Sequence, residues 1–445
     1  MTFLTRMNQI IDCTTSDLDF SSPPLYQNMI ESSTITLHPA CLKADRIVDI
    51  QVAKSQYYVD LCKSELYVQL KIFKTNPTSP NLEELLTESD TISVVNNIMS
   101  SLFKQVDLCI NNVQVESKLM YGQLAYMRDL LNFSTEKKAS YLQSQGWFDD
   151  TPGEMDNVVY IGTGTAGAPG ANQTFNTGAT KRRKALGKGV VELQGPLHLD
   201  FFNNGKFLID GMDLGLTLFQ AEDTFVLLGS GNYTVKIQKA GLYLKKLIPN
   251  PSIVNSINQM LSKNKAINYN INSSKLFTKK LDSAGMSEDI VVSTGKVPKT
   301  LIIALADHQS AITGLIGKNP FNYGTFNLIS VTLSVSGVNT PYAASLDFDF
   351  PKDIYLSGYR TLDSANKSIF GNGISRVAYK NGFMIIIFDL TANGECDNFR
   401  EIDKSGQVTV SLKFSSETTN KIALLCYTES NETIQFDLNR NLIKV

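Results

Sequence analysis

Neither sign of charge dominates this sequence: 41 Lys and Arg stand against 43 Asp and Glu, a formal net charge of -2. A chain that binds nucleic acid over its whole surface is clearly basic, so that class is excluded and only a local patch is left open. No Cys-x-x-Cys pair occurs among the six cysteines, Cys13, Cys41, Cys62, Cys109, Cys396 and Cys426. They are scattered, and Cys109 and Cys426 lie inside apolar runs, so buried free thiols in a reducing compartment are expected rather than a disulfide framework. Long apolar runs are missing too. The stretch at 383–388 is far below the roughly 20 residues that cross a bilayer as a helix. The first residues lack the apolar core of a signal peptide, so a soluble, non-secreted protein is expected. The only histidines, His38, His198 and His308, are too dispersed to form a metal motif.

What is present is two-residue alternation. Val408, Val410, Leu412 and Phe414 are separated by Thr409, Ser411 and Lys413. Ile329, Val331, Leu333 and Val335 repeat the pattern, as do Val68, Leu70 and Ile72, then Leu197, Leu199 and Phe201, and finally Ile434, Phe436 and Leu438. Such alternation puts one strand face on a core and predicts antiparallel sheets. His198 then falls on the polar face of its strand. Asn111-Asn112, between alternating Val106–Leu108–Ile110 and Val113–Val115, predicts a two-residue hairpin, because Asn tolerates the left-handed conformation. Between Tyr233, Val235, Ile237 and Leu242, Leu244 the phase slips, and Ala240-Gly241 predicts a β-bulge there.

Helices are few. Met120, Leu124, Met127 and Leu131 have helical spacing, and Ser134 can cap a second short helix. Asn250-Pro251 is a helix start, followed by an apolar face of Ile253, Ile257, Met260 and Leu261. The predicted organisation is an N-terminal arm (1–32), a first β domain (33–249), a helical connector (250–266) and a second β domain (267–445). Many strands with long loops in each half indicate sandwiches or jelly rolls. Residues 149–188, rich in Gly, Thr, Asn and Ala, are expected to be an exposed insertion whose removal leaves both domains folded.

The candidate sites carry little chemistry. Gly162-Thr163-Gly164-Thr165-Ala166-Gly167 matches G-x-G-x-x-G, but Pro169 breaks the helix that a dinucleotide site needs. No acidic residue lies between Asp156 and Glu192 to hold a ribose, so a loop is expected and no cofactor. Asp347 and Asp349 would share a strand face, where solvent exposure outweighs acid–base work. No G-x-S-x-G occurs, and no catalytic or metal residue is assigned. The one concentrated basic run, Lys181, Arg182, Arg183 and Lys184, is a candidate nuclear-import or nucleic-acid-contact patch, weighed against a solvated charge cluster.

Several phrases, in order, resemble the major capsid proteins of Polinton (Maverick) transposons and adintoviruses. They are Lys104-Gln105-Val106-Asp107-Leu108-Cys109-Ile110-Asn111 with the helix after it, Trp147-Phe148-Asp149-Asp150, and Gly195-Pro196-Leu197-His198-Leu199-Asp200-Phe201-Phe202. Leu247-Ile248-Pro249-Asn250-Pro251, Asn319-Pro320-Phe321-Asn322-Tyr323, Phe388-Asp389-Leu390-Thr391, and Tyr427, Glu429, Ile434, Phe436, Asp437, Arg440 and Asn441 follow. The resemblance spans residues 100 to 441. It implies an all-β double jelly roll with short helices in loops and between domains, no active site, and self-assembly as pseudo-hexagonal homotrimers into an icosahedral shell around a DNA genome. It also implies penton and minor capsid proteins as partners, weak and local contact with packaged DNA, and a place in the virion, made in the host cytoplasm with nuclear assembly left open. The alternatives are a β-sandwich adhesion or carbohydrate-binding protein, which would use the sequons at Asn132, Asn172, Asn232, Asn272, Asn366 and Asn431, or a minor capsid component.

Overall fold

The computed structural model describes residues 30–75, 83–87, 90–158, 175–187, 189–263, 266–281, 286–362, 371–391, 404–416 and 421–443. The G-x-G-x-x-G segment, Cys13, Cys396 and most of the N-terminal arm lie outside them. The first half holds β1 (Ile30–Pro39), β2 (Cys41–Lys43), β3 (Ile47–Val52), β4 (Tyr58–Thr75), β5 (Glu83–Leu85), β6 (Ile92–Val94), β7 (Phe103–Ile110), β8 (Val113–Leu119), β9 (Val190–Pro196), β10 (Leu214–Gln220), β11 (Leu227–Gly229) and β12 (Tyr233–Pro249). The second holds β13 (Ile267–Leu281), β14 (Ser287–Lys296), β15 (Thr300–Asp307), β16 (Leu328–Val335), β17 (Val338–Asn339), β18 (Leu346–Asp347), β19 (Ile385–Asp389), β20 (Ser405–Phe414), β21 (Ile422–Phe436) and β22 (Leu442–Ile443). The three longer helices are α1 (Tyr121–Asn132), α2 (Thr177–Leu186) and α3 (Pro251–Ser262).

Each half builds two facing antiparallel sheets. The first half pairs β1-β12-β4 with β9 and β5 on β4, opposite β2-β3-β10-β7-β8. The second pairs β13-β21-β15-β19, opposite β14-β20-β16 with β17 and β18 on β16. The alternating residues fill the space between sheets: Val68, Leu70, Ile72, Val106, Leu108, Leu216 and Leu218 in the first half, Val408, Val410, Leu412 and Leu333 in the second, all buried. Burying a side chain of this size contributes roughly 1.5–3 kcal/mol, so the inward rows hold each sandwich shut.

Local chemistry explains the joints. Asn111 (φ 51°) and Asn112 (φ 61°) are both left-handed, and Ile110 pairs with Val113 across them, so the expected hairpin is present. The second half repeats it with Ser336 (φ 51°) and Gly337 (φ 83°) between β16 and β17. The Asn250 side chain accepts from the Ser252 N–H at 2.9 Å and starts α3 with Pro251 in the first turn. Ser134 caps a short helix at Thr135–Lys138.

Some expectations are corrected. The slip in β12 falls between Ile237 and Lys239, upstream of Ala240-Gly241. Gly241 instead allows β1 to approach, because a Cβ there would lie 2.9 Å from the His38 carbonyl oxygen. Another shift, in β16 between Leu328 and Ser330, turns Ile329 outward although its alternation pointed it inward. Leu197–Phe201 is not a strand: β9 ends at Pro196, and residues 197 to 202 are all buried. Asp349 shares no strand with Asp347; its side chain caps a single turn at Phe350–Lys352. Cys41 and Cys62 are exposed, while Cys426 is buried, and burial pushes its thiol up to about 12.

Candidate functional site

The densest polar chemistry among the described residues lies in the seam between the two sandwiches. Asp200, in the loop after β9, is its centre. Its carboxylate accepts from the Ser274 N–H of β13 at 2.6 Å and from the Ser274 hydroxyl at 3.0 Å. Lys118 of β8 and Arg128 of α1 also donate to it. Lys118 continues to the Ser274 carbonyl and lies 3.1 Å from Glu116. Glu116 in turn accepts the backbone N–H groups of Asp200 and Phe201 at 2.7 and 3.0 Å. Arg128 reaches across to the Tyr427 hydroxyl of β21 at 3.0 Å, and that hydroxyl donates to Glu429 at 2.6 Å. The four charged side chains around Asp200, counting Asp200 itself with Glu116, Lys118 and Arg128, are two of each sign, and each is mostly withdrawn from water. An isolated buried charge costs several kcal/mol, so only mutual pairing makes this arrangement tenable.

Aromatic packing closes the seam on either side of these charges. Phe321 of the second half stacks on Tyr126 of α1 at 4.0 Å between ring centroids, and Tyr126 stacks on Trp147 at 5.2 Å. Gln123 donates to the Pro320 carbonyl and accepts from Tyr323, each at 2.9 Å. Elsewhere Phe201 meets Tyr269 and Tyr269 meets Phe436. Arg440 pairs with Asp210 at 3.2 Å, and Asn111 donates to the Arg440 carbonyl at 2.6 Å. Phrases scattered from Asn111 to Arg440 thus converge on one surface, which their sequence positions did not disclose.

The electrostatics fix the response to acid. Burial works to raise Asp200, but Arg128 and Lys118 outweigh it and hold the carboxyl below its ordinary 3.8. Glu116 shifts the other way, because burial pushes its carboxyl above the ordinary 4.5 against the pull of Lys118. A depressed carboxyl contributes stability above its unfolded value and loses it as pH falls through the folded value. A raised one takes up its proton more readily when folded, so acid does not weaken it. The seam is therefore expected to hold through mild acid and to weaken only below pH 3.8. The unfolding midpoint of the wild type minus that of Asp200→Asn measures this. The difference should be large near neutrality and shrink only below that pH; shrinkage already in mild acid would assign the response to another group.

The fold divides the basic run of the sequence between interior and surface. The run lies on α2, where Lys181 and Lys184 are exposed but Arg182 and Arg183 are buried. Arg182 donates to the Val94 carbonyl at 2.7 Å, the Phe148 carbonyl at 2.6 Å and the Asp150 carboxylate at 2.5 Å. Arg183 donates to the Thr87 carbonyl at 2.6 Å. Helical periodicity is the reason, since successive residues point to different faces and the body covers one of them. Asp150 also accepts from Asn176 at 2.7 Å and from Asn319 of the second half at 3.1 Å. Within 149–188, Asp150, Asn176, Arg182 and Arg183 are therefore built into the body of the protein rather than standing out from it, while 159–174 and 188 lie outside the described residues. His198 is likewise buried rather than on a polar strand face, 3.1 Å from Asp129. Among the described residues no group of three or more His, Cys, Asp and Glu is placed to hold a metal ion, and no helix is long and apolar enough to cross a membrane.

Two antiparallel sandwiches with one strand plan, locked in tandem, define the double jelly roll, the fold of a class of viral capsid subunits. No protein-family model and no curated protein matches the chain. Solved structures do. A chain in the structure of the Sputnik virophage matches with a TM-score of 0.62 at 13% identity, over 97% of this chain and 92% of that one. The Faustovirus major capsid protein gives 0.59 at 8%, over 96% and 94%. The mavirus major capsid protein gives 0.52 at 10%, over 98% and 93%. At these identities the likeness is one of fold.

Proposed function

We propose that this chain is the major capsid protein of a DNA virus or virus-like transposon of the Polinton and adintovirus kind. It assembles as a homotrimer of pseudo-hexagonal outline, and the trimers tile an icosahedral shell enclosing the genome. The observation that carries this reading is likeness of fold along nearly the whole chain, both barrels included, to viral capsid proteins. The seam supports it physically. A tile must keep its two halves at a fixed angle, and the paired charges around Asp200 with the Phe321 stack leave no free hinge between them. Charge supports it as well, since a net -2 lets many copies approach without strong mutual repulsion. Its partners are then other copies of itself, penton and minor capsid proteins, and packaged DNA weakly, with Lys181 and Lys184 as the exposed part of the basic run. Its place is the virion, after synthesis in the host cytoplasm.

Light scattering of the purified protein after gel filtration tests this. The expected mass is three times 49.2 kDa. A protein that remains a monomer at every concentration would contradict the proposal.

A further inference from the structure

The two halves repeat one strand plan, which makes the seam a template for a second contact. β1 and β13 are equivalent, since each is the edge strand beside the long return strand of its sheet, β12 or β21. β8 and the β17–β18 segment are equivalent, since each follows β7 or β16 through a two-residue left-handed turn and borders the opposite sheet. Within the chain, β8 of the first half packs against β13 of the second, with Lys118 bound to Ser274. This joint is head to tail: a hairpin edge meets a first-strand edge. It uses only one of the two hairpin edges and one of the two first strands. Among the described residues, β1 and the β17–β18 segment have no such counterpart.

Both leftover surfaces look unfinished. β13 buries Tyr269, Ile271, Ser273, Ser274 and Leu276, whereas no residue of β1 is buried. Ile35 is 68% exposed and Leu37 47%. At the other site Val338 is 67% exposed and Tyr342 38%. No Asp, Glu, Lys or Arg occurs at 32–42 or at 335–345. Edge strands that must stay free are guarded by charge, and interface centres are depleted of it. Uncharged, apolar and equivalent to the two sides of an existing joint, these surfaces fit each other.

We infer that β1 of one copy receives the segment 338–345 of a second copy of this chain, around Ile35 and Leu37 on one side and Val338 and Tyr342 on the other. The contact repeats the head-to-tail geometry of the internal seam but without its ion pairs, because no charged residue occurs at 32–42 or at 335–345. A heterologous contact of this kind closes a ring when its rotation closes. The inference rests on the shell-subunit proposal and names the surfaces that join its trimer.

The test uses full-length chains with Ile35→Lys or Val338→Lys, checked for unchanged circular dichroism and unfolding midpoint. The milder Ile35→Thr and Val338→Thr stand in if lysine disturbs the fold. Each lysine variant alone is expected to fall from the three-chain mass to one chain. A mixture of the two leaves one intact contact, between the Val338 side of the first variant and the Ile35 side of the second. The mixture should therefore give two-chain particles and nothing larger. Folded variants that stay trimeric, or a mixture that stays monomeric, would overturn the surface assignment while the trimeric wild type keeps the shell proposal. A monomeric wild type would overturn both.

Discussion

Replacing Asp200 with Ala is expected to cost about 3–5 kcal/mol of folding stability, the range for removing one partner of a buried ion pair. The loss comes from what stays behind. Lys118 and Arg128 remain buried without their shared carboxylate, and the Ser274 N–H loses its acceptor. Glu116→Gln should cost less, because its one amide oxygen still accepts one of the two backbone N–H groups, of Asp200 and Phe201, that the two carboxylate oxygens accept, and only the other is left facing the amide NH2. Urea unfolding followed by tryptophan emission reads both, since Trp147, the single Trp of the chain, stacks in the seam. Limited proteolysis adds a second readout, as a loosened seam should expose the chain between the barrels before either barrel unfolds. An Asp200→Ala protein within about 0.5 kcal/mol of wild type, the ordinary scatter of surface substitutions, would mean that the charges do not hold the barrels together.

Arg182→Ala is expected to be as damaging, again about 3–5 kcal/mol, because it strands the Asp150 carboxylate in the interior. Lys181→Ala with Lys184→Ala, on the same helix, should stay within about 0.5 kcal/mol, because both side chains are exposed. The contrast is measured by denaturant unfolding of the two variants side by side. Equal effects would restore the basic run as a surface feature. The same logic reverses the expectation for deleting 149–188. The deletion removes Asp150, Asn176 and Arg182 together, so the first barrel should no longer fold, instead of surviving with weaker assembly.

These two sites also mark the limit of what the sequence disclosed. Alternation at Val408–Phe414 and Val68–Ile72, the Asn111-Asn112 turn and the Asn250-Pro251 helix start are local signals, and each produced the element it predicts. Their physics acts within a few residues. Lys118 also alternates with apolar neighbours and reads as solvent-facing; only β13, more than 150 residues away, buries it. His198 is a similar case, since a segment buried on both sides has no polar face for alternation to reveal. The basic run is divided because four consecutive charges on a helix cannot all face water once the helix packs on a body. One signal was available: Leu199-Asp200-Phe201-Phe202 sets an acid among large apolar residues, and a charged residue buried in such a run has to be paired.

The central claim is that the two locked barrels form a tile that closes into shells. Electron microscopy of the concentrated wild-type protein tests it most directly. The account predicts three-chain particles with six lobes, two from each chain, and closed icosahedral shells built from them. Single two-lobed particles at every concentration and salt condition would contradict it.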